Sequence, residues 1–157
     1  MIHHLSLAAR EPERAARVVA ELWGGQAFPF SPVGHGSWVA VSGDDRGSTM
    51  EIYAAGTELK PANGDADSAV EVRPDPARYT ATHALIATGL DEAQVHAIAD
   101  REGWICKRRT RPAGFTVIEF WIEDSVLLEV ATPAMQREYL DFMRTRAPAF
   151  LAQSSAA

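Results

Sequence analysis

The sequence predicts an α+β chain of two tandem βαβββ modules followed by a C-terminal helix, and three observations carry that expectation. The first is an internal echo: Ile-His-His-Leu-Ser-Leu-Ala at 2–8 returns as Ala-Thr-His-Ala-Leu-Ile-Ala at 81–87. The second is its register, since His4 and His83 stand 79 positions apart and Glu51 and Glu129 stand 78 apart. The third is the order of hydrophobic periods, which runs strand, helix and three strands in each half.

In the first half, 2–9 alternates with period two, which puts His4, Ser6 and Ala8 on one face and His3, Leu5 and Leu7 on the other. Pro12 suits a first helical position, and Ala15, Val18, Val19 and Leu22 form an apolar stripe that ends at Gly24 and Gly25. Leu5 and Leu7 then belong under that helix, which turns His4 away from it. Strand-like runs follow at 26–30, 37–42 and 48–54, separated by Gly-rich and Asp-rich turns.

The second half repeats the order. A strand is expected at 79–88; Asp91 is a good N-cap with Gln94 three residues on, and Leu90 and Val95 are spaced as a hydrophobic staple. Val95, Ile98 and Ala99 make the stripe, and Gly103 ends the helix 79 positions after Gly24. Strands are expected at 104–109, 115–123 and 125–132. Segment 56–77 is rich in Gly, Ala, Asp and Pro and reads as an exposed linker in which 69–73 pairs at most as a short edge strand. Beyond Pro133 a last helix carries Met135, Tyr139, Phe142 and Met143 on one stripe, suited to packing on the sheet or on a second subunit. The layout expected is a first module at 1–55, a linker at 56–78, a second module at 79–132, and a C-terminal helix and tail at 133–157, with 153–157 disordered and the whole forming one structural domain.

Composition narrows the function. A formal charge of −6 and a pI near 5.3 argue against nucleic acid or an anionic membrane as the main partner. One cysteine, Cys106, forms no internal disulfide, and neither a leader-like segment nor a span of apolar residues stands out, so a cytoplasmic protein is expected.

The two echoed glutamates draw attention next. Period two puts Thr49, Glu51 and Tyr53 on the face opposite Met50 and Ile52, and it separates Leu127, Glu129 and Ala131 from Leu128 and Val130. A glutamate inside Leu-Leu-Glu-Val-Ala is costly to bury unpaired, and a cation answers that cost. With His4 and His83 the two carboxylates make a nitrogen and oxygen donor set suited to Zn, Ni, Co, Mn or Fe(II), with no choice among them. Other candidates have plainer readings. His3 reads as a helix-packing residue, and His35, between two glycines, reads either as a surface turn or as a substrate contact from a loop. The run Lys107, Arg108, Arg109, Thr110, Arg111 is most often a solvated edge strand. Its alternative is an inward arginine, with Arg109 the candidate, receiving a substrate carboxylate or phosphate. Glu119 and Trp121 share a face of the longest strand and would line a pocket if that face is the inner one.

Two tandem βαβββ modules, with His at the first strand and Glu at the fourth strand of each, resemble the vicinal oxygen chelate superfamily over roughly residues 2–132. That group includes glyoxalase I, bleomycin resistance proteins, type I extradiol dioxygenases and methylmalonyl-CoA epimerase. The resemblance implies a cupped, partly open eight-stranded barrel with one divalent metal in the cup, held by His4, Glu51, His83 and Glu129. It also implies an isomerase, epimerase or lyase acting on a small oxygen-chelating carbonyl substrate, in which a metal-stabilised enediolate forms as a carboxylate removes a proton. Glu129 is the expected base and Glu51 its partner; a homodimer is the expected assembly, with the cup closed within one chain or by exchange between two. The alternatives are an Fe(II) extradiol dioxygenase, against which Glu51 speaks, and a small-molecule binding protein like the bleomycin resistance proteins, which usually lack the full metal set.

Overall fold

A computed structural model describes residues 2–30, 36–65, 67–148 and 150. The first module runs β1 (His4–Ala9), α1 (Pro12–Trp23), β2 (Gln26–Pro29), β3 (Trp38–Val41) and β4 (Thr49–Ala54). A hairpin, β5 (Thr57–Lys60) and β6 (Ala69–Val72), leads to the second module: β7 (Ala84–Ala87), α2 (Glu92–Glu102), β8 (Cys106–Thr110), β9 (Thr116–Ile122) and β10 (Val126–Ala131). Helix α3 (Pro133–Thr145) ends the order. The two modules form sheets of identical design, β1-β4-β3-β2 and β7-β10-β9-β8, with the first and last strands of each module parallel. The expected α+β class, its paired βαβββ modules and its C-terminal helix are therefore present.

Helix ends follow the local chemistry. In α1 proline occupies the start, where its missing N–H costs nothing, and Gly24 closes the helix in the left-handed region at φ 70°. A side chain on Gly25 would place its Cβ 2.0 Å from the Val41 carbonyl oxygen, so only glycine lets the chain turn from α1 into β2. Around α2, the Asp91 carboxylate accepts the Gln94 N–H at 2.8 Å and the Gln94 side chain accepts the Asp91 N–H at 2.9 Å, a complete capping box.

The faces are those the period predicts. Leu7, Met50 and Ile52 share a core with Val19 and Leu22 of α1, and Ile86, Phe120, Leu128 and Val130 join the same core with Val95 and Ile98 of α2. Both helices thus serve one continuous core, and they touch directly through Arg14 to Glu102 and Arg101 to Glu21, each at 2.7 Å. The opposite face of each sheet carries the polar residues, Glu51 on one and Glu129 on the other, both half-buried.

Three segments differ from the sequence reading. Strand β7 begins at Ala84 and leaves 79–83 outside it, because the Thr80 hydroxyl accepts the Thr82 N–H and the His83 ring bonds the Ala81 carbonyl, local contacts that compete with a ladder. The expected linker holds the β5–β6 hairpin; only its second strand was anticipated, because Glu58, Leu59 and Lys60 lack a β signature. Gly56 starts the hairpin at φ 90°, where a Cβ would meet the Arg73 carbonyl oxygen at 2.4 Å. On α3, Met135 and Phe142 are buried and Tyr139 packs edge-on against Phe115, while Met143 points to solvent at 44% exposure. The expectation for 153–157 falls outside the described residues.

Candidate functional site

The two half-sites that share a sequence echo have different surroundings, and strand register explains why. Glu51 stands opposite Ser6 on β1 and Val39 on β3. Its Oε2 accepts hydrogen bonds from the Ser6 hydroxyl at 2.9 Å and the Tyr53 hydroxyl at 2.7 Å. Burial pushes the Tyr53 phenol up to about 12, and its bond to Glu51 pushes the same way. Tyr53 is therefore a neutral donor across the ordinary pH range. Ser6 and Tyr53 also line a cavity of about 780 Å³ between the end of β1, the hairpin and segment 73–82. Arg10, Arg73 and Arg78 line it too. Ser6 and Tyr53 went unremarked as functional residues from sequence, although each shares a face with His4 or Glu51.

Glu129 stands opposite Leu85 on β7 and Glu119 on β9. No hydroxyl is supplied here. The guanidinium of Arg111 bridges the two carboxylates instead, donating through Nη1 to Glu119 at 2.9 Å and through Nη2 to Glu129. Arg109, the arginine named from sequence for substrate contact, lies on the exposed edge strand with its Nε 3.7 Å from Glu119. Trp121 pairs with Leu127 and so shares the Glu129 face with Glu119, the placement that sequence left open. His35 lies outside the described residues.

The histidines sit at the margins. His4 opens β1, exposed, across from Thr49. His83 is exposed just before β7, and its Nδ1 bonds the Ala81 carbonyl at 2.9 Å, which leaves Nε2 as its other polar atom. His3 is exposed and bonds the Arg46 carbonyl at 2.8 Å rather than packing under α1. Among the described residues no three His, Cys, Asp or Glu side chains converge to hold a metal ion. The donor chemistry of His4, Glu51, His83 and Glu129 suits a divalent metal, but their placement within one chain does not fit one.

A further carboxylate escaped the sequence reading. Glu123, in the β9–β10 turn, is buried and accepts the backbone N–H groups of Arg10 and Glu11, each at 2.7 Å, at the entry to α1. Cys106 is free and half-buried, and burial, with help from Asp100 and Glu92, pushes its thiol up to about 11.

The paired βαβββ arrangement recurs in solved structures. No protein-family profile and no curated protein matches the sequence. Among solved structures, a fosfomycin resistance protein FosX from Listeria monocytogenes is similar at a TM-score of 0.53 with 12% identity, over 84% of this chain and 90% of that one. FosX from Mesorhizobium loti is similar at 0.51 with 15% identity, over 87% and 94%. A lactoylglutathione lyase from Agrobacterium tumefaciens is similar at 0.51 with 12% identity, over 83% and 91%. At these identities the likeness concerns the fold, and the chain shares the paired βαβββ fold of these FosX and lactoylglutathione lyase structures.

Proposed function

We propose that the chain is a glyoxalase-like enzyme, an isomerase, epimerase or lyase that removes a proton from the carbon beside the carbonyl of a small oxygen-rich substrate. One observation carries the reading: Ser6 and Tyr53, both lining the 780 Å³ cavity, hold one oxygen of the Glu51 carboxylate between them. That fixes the carboxylate in orientation and leaves its second oxygen, Oε1, as the basic atom. Of the two carboxylates expected as base, Glu51 is favoured, because Glu129 already receives a charged hydrogen bond from Arg111. In this scheme Glu51 takes the carbon-bound proton; an isomerase returns it to the neighbouring carbon, an epimerase returns a proton to the same carbon, and in a lyase the electron pair left behind expels a leaving group. Of the arginines lining the cavity, Arg10 is paired with Glu123 and Arg73 with Glu58, so Arg78 is the candidate to face a developing enolate oxygen.

A divalent metal at His4, Glu51, His83 and Glu129, and the homodimer expected with it, belong to this proposal only for an assembly in which half-sites of two chains meet and Arg111 has left Glu129. The test of the enzyme reading is exchange of carbon-bound hydrogen for solvent deuterium, followed by NMR, over a panel of small α-hydroxy and α-keto carbonyl compounds. Wild type should exchange at least one of them, and Glu51→Gln should slow that exchange by about 10²- to 10⁴-fold. Exchange at the wild-type rate in Glu51→Gln removes Glu51 from the mechanism.

A second reading, a small-molecule binding protein, is supported by the same cavity of about 780 Å³ beside Ser6 and Tyr53. Saturable binding of a compound that undergoes neither exchange nor turnover would select it.

A further inference from the structure

Two carboxylates face each other across β9 and β10, and this is the feature the proposed reaction leaves unused. Glu119 and Glu129 are direct partners in an antiparallel pair. Direct partners hold their Cβ atoms about 4.5–5.5 Å apart, and like charges so placed are destabilising. Both side chains are largely buried, at 16% and 13% exposure, so water screens the repulsion poorly. A cation is needed between them.

The chain supplies its own. Arg111 follows β8, and the ladder continues to it through its N–H on the Phe115 carbonyl at 2.8 Å. Period two then sends Arg111 to the face of Lys107 and Arg109, the face that carries Glu119. Its planar fork gives one nitrogen to each carboxylate, a geometry that a lysine ammonium does not reproduce. The first module shows what the bridge replaces. At the positions equivalent to Leu85, Glu119 and Ala131 it has Ser6, Val39 and Tyr53, so Glu51 meets two hydroxyls and no opposing charge.

We propose that Arg111 is the resident cation of the second half-site: it bridges Glu119 and Glu129 and keeps divalent metal ions off Glu129. A metal would have to displace the guanidinium before it could use that carboxylate, and it would leave Arg111 with a single partner. The inference rests on the reading of Glu129 as a site residue and is independent of the carbonyl reaction, which the exchange experiment tests separately through Glu51.

The experiment is equilibrium dialysis of the purified protein against Ni²⁺ and, separately, Mn²⁺, with bound metal measured by elemental analysis. Wild type and Glu129→Gln should bind alike, because Glu129 takes no metal in either. Arg111→Met should bind at least one of the ions about tenfold more tightly or better, and Arg111→Met/Glu129→Gln should lose that gain. Circular dichroism and thermal unfolding check that each variant is folded. If Arg111→Met fails to fold, because two carboxylates now face each other uncompensated, Arg111→Met/Glu119→Gln removes one of them and should show the same gain. The proposal is overturned if wild type holds an equivalent of metal that Glu129→Gln strips, or if the folded arginine variants bind no more tightly than wild type.

Discussion

Glu51 and Glu129 occupy the same place in two copies of one module, yet a single pair of neighbours gives them different chemistry. Hydroxyls at Ser6 and Tyr53 leave Glu51 a carboxylate with an oxygen to spare, whereas Glu119 opposite Glu129 demands a counter-charge that Arg111 provides. The echo of His and Glu in the sequence made both carboxylates visible. It could not show their partners, since those depend on cross-strand register, and register follows from turn geometry as well as from periodicity. A separate prediction concerns Cys106, whose thiol stands at about 11 because burial disfavours the thiolate. Relative to an ordinary cysteine near 8.5, the thiolate fraction at pH 8 falls by about two orders of magnitude. Iodoacetamide should therefore label the native protein at pH 8 about a hundredfold more slowly than the urea-unfolded chain. The linked stability runs in the matching direction: the folded value is raised, so the Cys106 contribution is intact below its unfolded value and is lost as pH rises through about 11. Equal labelling rates in the two states would show that the thiol is not protected.

At the scale of the element, the helices were the most legible part of the chain. Pro12, Gly24, Asp91 with Gln94, and Gly103 each act through a local mechanism that needs no distant partner, and each stands where the sequence placed it. Strand ends were less legible, as 79–83 and the β5 strand show, because pairing there competes with side-chain bonds or joins a hairpin with weak propensity. Two glycines separate these kinds of information. Gly25 lies against the Val41 carbonyl, whereas Gly89 has open space where a Cβ would go and no left-handed φ. Gly25→Ala should lower the unfolding free energy by about 1–3 kcal/mol, the usual range for forcing atoms into packed space. Gly89→Ala should leave it unchanged or raise it by about 0.4–1 kcal/mol, through lost freedom of the unfolded chain. Urea titration of both variants measures the contrast, and equal effects would mean that the α1–β2 turn relaxes around the added methyl.

Across the whole molecule, the two modules are joined by more than their shared core. Arg14 with Glu102 and Arg101 with Glu21 tie α1 to α2, but these pairs are partly exposed at their arginines and such pairs contribute little. Glu123 is the stronger link. It belongs to the second module, it is 5% exposed, and it receives the N–H groups of Arg10 and Glu11 at the start of α1 in the first module, with the Arg10 side chain closing over it. Glu11 is the N-cap of α1, its N–H has no partner within the helix, and the positive end of the helix favours an anion there, so one carboxylate answers both needs. Its position carries a backbone cost, since Glu123 and Asp124 both stand in the left-handed region at φ 52° and 54°. Removing the side chain would keep that cost and take away the charged acceptor of the two N–H groups, a hydrogen bond to a charged group contributing about 1.5–3 kcal/mol. Glu123→Ala should therefore lose about 2–4 kcal/mol in urea unfolding. Glu123→Gln, which keeps an acceptor oxygen but no charge, should lose less. Loss of equal size in both variants would assign the whole effect to charge, and no loss in Glu123→Ala would show that the modules are held by the core alone.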